Sequence, residues 1–205
     1  MRASAAVIAL AVSCLVTIAE VRAARADRPS ELVDVRTVIP DAVIDMRYAT
    51  ADNFTGRVLY PRATCKLRRA VAQRLAKAAA RLRVARRRLV IWDCYRPASI
   101  QRQLWKLVPD TRYVADPRQG SKHSRGAAID VGLVASDGSP VVLPTAFDDF
   151  SSAAHRSRAL AGPNGAEARR LARAMTMAGF IGMPTEWWHF DAADSAKYPL
   201  SDEPL

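Results

Sequence analysis

Ser121-Lys122-His123-Ser124-Arg125-Gly126-Ala127-Ala128-Ile129-Asp130-Val131-Gly132-Leu133 is the most informative stretch of this 205-residue chain. A polar loop ends at a histidine, Gly126 permits a tight turn, and Ala127 to Leu133 reads as a strand. His123 precedes Asp130 by seven residues, so one loop and the strand it enters can offer an imidazole and a carboxylate to the same place.

On the C-terminal side, Asp137-Gly138 predicts a hairpin turn before Val141-Val142-Leu143. Ala168, Leu171, Met175 and Ala178 give Glu167 to Ala178 helical spacing, which Gly179 ends. Trp187 to Phe190 predicts a last strand. On the N-terminal side, Lys66 to Arg88 repeats Leu67, Val71, Leu75, Ala78, Leu82 and Ala85 at three- and four-residue spacing, one face of a helix with arginines on the other. A short strand, Leu89 to Trp92, follows, and Pro97 turns the chain into a helix over Ser99 to Val108. Leu32 to Tyr48 reads as an extended lead-in with one strand, interrupted at Pro40, and Ala51 to Arg62 as a loop. Helices before and after a small, mostly antiparallel sheet predict an α+β fold in a single domain.

The first 26 residues read differently. Arg2 precedes an apolar run from Ala5 to Ile18, long enough for a signal-peptide core and short of the ~20 residues that cross a bilayer. Ala24-Arg25-Ala26 presents small residues where a signal peptidase reads them. The expected division is therefore 1–26 signal peptide and 27–205 folded domain, exported to the periplasm or beyond. With half its residues hydrophobic, the remainder can bury a real core.

The formal charge of +11 points to an anionic partner. An exported protein rarely meets nucleic acid, so weak contact with an anionic cell wall or membrane surface is the more economical reading, and a merely solvated helix face the plainer one. Without the leader two cysteines remain, Cys65 and Cys94, an even number where disulfides persist. A bridge between them would close a loop of about thirty residues and contribute roughly 3.5 kcal/mol; the alternative is two buried thiols.

The chain has three histidines, His123, His155 and His189. His155 has no carboxylate at useful spacing and is assigned to the surface. His189 closes Glu186-Trp187-Trp188-His189. Catalytic zinc takes three nitrogen or oxygen ligands from the protein and leaves a place for water. His123, Asp130 and His189 would supply them, and Glu186 would remain to take the water's proton. Singly, each piece is weak: a loop histidine is more often a surface residue, a spacing of seven arises by chance, and a tryptophan pair is more often core.

Together the two segments resemble the SxHxxGxAxD and ExWH motifs of the M15 zinc peptidases, closest to their D-Ala-D-Ala dipeptidase branch. The resemblance extends to Asp52-Asn53-Phe54-Thr55-Gly56, Trp92-Asp93-Cys94-Tyr95-Arg96-Pro97 and Phe147-Asp148, almost the whole of the expected mature chain in order. It implies an M15, Hedgehog-like fold with one Zn2+ at the sheet, held by His123, Asp130 and His189. Glu186 would be general base and acid, Arg96 would stabilise the oxyanion, Asp148 would hold the substrate ammonium, and Ser121 would help bind the dipeptide. Without the resemblance, Arg96 reads as an ion-pair partner of Asp93. Cys94 and the leader depart from the better-known dipeptidases, which fits an exported form that recycles wall-derived dipeptide. Rival readings are a D,D-carboxypeptidase or L,D-endopeptidase of the same superfamily and a non-catalytic wall-binding protein.

Overall fold

A computed structural model describes residues 29–205. The expected leader lies outside the described residues. Eleven strands and helices follow in order: β1 Leu32–Asp34, β2 Val43–Ile44, β3 Lys66–Arg68, α1 Arg69–Val84, β4 Arg87–Asp93, α2 Ala98–Leu107, β5 Ala128–Ala135, α3 Arg156–Ala161, α4 Ala166–Met177, β6 Phe180–Gly182 and β7 His189–Ala192. Five strands form the main sheet in the order β2-β4-β5-β7-β6. Only the β2–β4 pair is parallel, so the sheet is mostly antiparallel, as expected.

The apolar stripe of α1 is real: Val71, Leu75, Ala78 and Leu82 are fully buried. Helices α1 and α4 pack on each other and against β4, β5 and β6. Removing those side chains from water is the main force holding sheet and helices together.

Several boundaries differ from expectation, for tertiary reasons. Lys66–Arg68 is a strand rather than the first turn of the basic helix, because it pairs with Leu32–Asp34 in a second, two-stranded sheet. The Asp137-Gly138 turn forms, with Gly138 at φ 91° and the Ala135 amide donating to Ser139 O at 2.9 Å. Val141–Leu143 nevertheless does not continue as a strand. After a single bridge between Val134 and Pro140 the pairing stops, since Pro140 has no N–H to extend a ladder. The last strand starts at His189 rather than Trp187; both tryptophans precede it in bends and fill the core, each about 1% exposed. Among the described residues no helix is long and apolar enough to cross a membrane.

Cys65 and Cys94 form a disulfide with Cα atoms 5.3 Å apart, within the usual span. It fastens the segment before β3 to the end of β4, at the edge of the site.

Candidate metal centre and active site

The site is built on strand register. Asp130 on β5 lies directly opposite His189 on β7 and, across a β-bulge, opposite Asp93 on β4. Three adjacent strands therefore place three functional groups in one row. His123 joins from the short 3-10 turn His123–Arg125 that leads into β5. That turn ends at Gly126 with φ 65°, and a Cβ there would meet Leu32 Cδ2 at 2.5 Å. Only glycine satisfies both the left-handed backbone and the close packing. The buried Arg68 guanidinium fixes the same turn by donating to Arg125 O at 2.8 Å.

His123 Nδ1 donates to Cys94 O at 2.7 Å, which leaves Nε2 as its lone-pair nitrogen. His189 Nε2 donates to Asp191 Oδ1 at 3.0 Å, which turns Nδ1 inward. Lys122 Nζ completes that chain, 2.6 Å from the other Asp191 oxygen. Hydrogen bonds to the outer nitrogen are how proteins select the tautomer and ring orientation of metal-binding histidines. The inner atoms then converge: His123 Nε2 to His189 Nδ1 is 3.2 Å, His189 Nδ1 to Asp130 Oδ1 is 2.9 Å, and His123 Nε2 to Asp130 Oδ2 is 3.5 Å.

One ligand atom from each of the three buried residues lies within 4.8 Å of the others. Two imidazole nitrogens and a carboxylate oxygen that aim lone pairs at one point require a cation among them. This donor set fits a catalytic divalent metal of the zinc type. Without metal, a proton does part of the work. Burial would lower the pKa of His189, but Asp130 and Asp191 outweigh it and push it up to about 10. Asp130 is held well below the usual carboxylate range by His123 and His189, against the opposing effect of burial.

Around the triad is a small cavity of about 90 Å3, to which Arg96, Ser121, Asp148 and Glu186 all contribute. A Glu186 carboxylate oxygen is 3.9 Å from His189 Nδ1, beside the triad rather than in it. Burial raises its pKa. Asp148 is raised well above normal, first by burial and then by the negative charge of Asp130. Its backbone is left-handed, φ 58°, an uncommon state for a non-glycine residue and one that clusters at functional sites. Ser121 is buried, and its Oγ accepts from the His123 amide at 3.2 Å.

Arg96 makes the ion pair with Asp93, Nη2 to Oδ2 2.5 Å, while Nη1 donates to Gln101 Oε1 at 2.8 Å. Asp93 in turn accepts from the Tyr60 hydroxyl at 2.6 Å. The pair and the cavity-facing position coexist: the buried carboxylate holds the guanidinium at the cavity wall. His155 is exposed, as expected.

Two neighbours of the site were missed from sequence. Asp191 is readable in hindsight, since a His-x-Asp pair on one strand faces one way. Tyr48, whose hydroxyl lies 3.3 Å from Asp148, carries no local signal, because its partner is a hundred residues away.

Residues 28–203 match the family model described as peptidase M15, D-Ala-D-Ala dipeptidase. The chain is 40% identical over 172 residues to the D-alanyl-D-alanine dipeptidase of Escherichia coli K12, covering 83% of this chain and 89% of that protein. It is 31% identical over 185 residues to the enzyme of the same name from Enterococcus faecium, covering 77% and 88%. From the site row on three strands, the motif frame and these matches, the chain belongs to the M15 family of D-Ala-D-Ala dipeptidases and is a metallopeptidase.

Proposed function

We propose that this protein hydrolyses free D-Ala-D-Ala with one zinc ion held by His123, Asp130 and His189. The observation that carries this reading is the convergence of those three side chains, with Glu186 next to them and outside the triad. When bound, zinc would polarise the scissile carbonyl and acidify water.

The chain's own residues would do the rest. Glu186, raised by burial, takes the proton of the attacking water and returns it to the leaving amine. Arg96, fixed by Asp93 and Gln101, faces the developing oxyanion with a guanidinium that need not reorganise. Asp148 pairs with the substrate ammonium, whose positive charge relieves the cost of a buried carboxylate near Asp130. Ser121 Oγ, at the cavity edge, hydrogen-bonds the dipeptide.

The domain is assigned to residues 27–205 and the first 26 to a cleaved leader, so the enzyme works outside the cytoplasm on wall-derived dipeptide. A disulfide at the site's edge supports that compartment. Weak attraction to an anionic wall or membrane surface is proposed from α1, which has no acidic residue.

The deciding assay is the zinc-loaded protein on free D-Ala-D-Ala, its N-acetyl derivative and an acylated tripeptide. Hydrolysis of the free dipeptide is expected, with at most residual cleavage of the two acylated peptides. Preference for the acylated peptides would instead assign a carboxypeptidase, and no hydrolysis of any would sink the enzyme reading.

A further inference from the structure

Arg156, the first residue of α3, has no role in the reaction described above, yet it touches the segment that carries two of its residues. Its Nε donates to Met183 O at 2.9 Å. Its Nη2 faces the carbonyl oxygens of Glu186, Trp187 and His189 at 3.3, 2.9 and 2.9 Å. The Arg156 amide also donates to Pro184 O at 2.8 Å, and the guanidinium lies 4.4 Å from the Phe190 ring centroid.

Most half-buried arginines answer a carboxylate. Among the described residues no carboxylate offsets the burial of this one, which lowers its pKa to about 10, so at neutral pH it is a full cation met by carbonyl dipoles and the face of Phe190. Gly182 makes room for it. A Cβ there would lie 2.1 Å from Arg156 Cζ, although the backbone at Gly182 is not left-handed and would itself accept alanine. The glycine is therefore needed for the guanidinium rather than for a turn.

We propose that Arg156 is a positioning residue that gathers the carbonyls of Met183 to His189 and so sets Glu186 and His189 relative to the metal. It builds on the reading of Glu186 as base and His189 as ligand. A neutral side chain would leave the Met183, Glu186 and Trp187 carbonyls without this donor, while His189 O would keep only the Met183 amide at 3.1 Å. The segment would open, moving Glu186 away from the cavity and His189 Nδ1 off the axis shared with His123 and Asp130. Substrate contacts through Asp148, Ser121 and Arg96 lie on other segments and should persist.

The test compares wild type with Arg156→Ala, Arg156→Lys and Gly182→Ala, each first shown to be folded by circular dichroism well below its melting temperature. Expected is a loss of about 10- to 100-fold in kcat and in zinc affinity, measured by competition with a chromophoric chelator, with KM nearly unchanged. Dilute guanidinium should restore part of the kcat of Arg156→Ala, and Arg156→Lys should retain more activity than alanine. Normal kcat and zinc affinity in folded Arg156→Ala or Gly182→Ala would overturn the proposal. So would failure of both Arg156 variants to fold, which would make the residue a prop for the fold. A wild-type protein that binds zinc but does not cleave the dipeptide would refute the proposed reaction instead, and the chelator competition would still test the clamp.

Discussion

Glu186 and Asp148 are both carboxylates raised by burial in one cavity, and their neighbours separate their roles. Glu186 lies 3.9 Å from a triad nitrogen, whereas Asp148 lies under the Tyr48 hydroxyl. Glu186→Ala should therefore keep its zinc by elemental analysis and lose turnover by about a hundred- to ten-thousand-fold, the range for a positioned acid-base group. A zinc-loaded variant with normal kcat would end that role. Asp148→Asn keeps the shape and removes the charge. Losing a charge-assisted hydrogen bond of about 1.5–3 kcal/mol should lower kcat/KM for the free dipeptide by roughly 10- to 150-fold. Little change is expected for the residual cleavage of an N-acetylated dipeptide, which has no ammonium to lose, and equal losses on both substrates would contradict the pairing. At this scale the convergence of His123, Asp130 and His189, with Glu186 beside them, could be anticipated from sequence because each sits in a short, fixed frame. The left-handed backbone of Asp148 and its contact with Tyr48 were not, since they depend on segments that meet only in the folded chain.

At the level of elements, the centre of the sheet was the easiest to anticipate. β4 and β5 each contain an apolar run, Leu89–Trp92 and Val131–Ala135, followed by a turn signal at Pro97 and Asp137-Gly138, so they can be placed without context although β4 proves longer than its run. β3 and β6 have three residues each and were missed, because what makes them strands is the partner alongside, Leu32–Asp34 for one and β7 for the other. The disulfide shows how such distant pairings serve the site. It holds the end of β4, where Cys94 O accepts from His123 Nδ1 at 2.7 Å and so fixes the tautomer of this proposed ligand. Replacing both cysteines by serine should lower the unfolding free energy by about 3.5 kcal/mol from loop entropy alone, measurable by urea denaturation. It should also weaken zinc binding, because the carbonyl that orients His123 is less well held. A double variant of unchanged stability and zinc affinity would show that the bridge constrains neither the chain nor the site.

For the molecule as a whole, the proposed metal site joins parts distant in sequence: a turn at His123, strand β5 at Asp130 and strand β7 at His189. In the unfolded chain these groups are separated by seven and fifty-nine residues, so the site exists only in the native state. A ligand that binds only the native state adds RT ln(1 + [L]/Kd) to stability, about 2.7 kcal/mol at a free concentration one hundred times Kd. For a domain of this size, roughly 2–4 °C per kcal/mol, zinc should raise Tm by about 5–11 °C over the chelator-treated protein. The sign follows from the site's chemistry as well. A divalent cation would be met by both inner nitrogens, 3.2 Å apart, and by the Asp130 carboxylate, in place of the proton that His189 otherwise carries. His189→Ala removes one proposed ligand, so its Tm should respond little to zinc at the same concentration, whereas Glu186→Ala should keep the full increment because Glu186 is outside the proposed ligand set. This pair of variants separates a metal that is bound for folding and chemistry together from one that merely adheres to a basic, carboxylate-poor surface. An equal zinc response in both variants would place the ion somewhere other than on His123, Asp130 and His189.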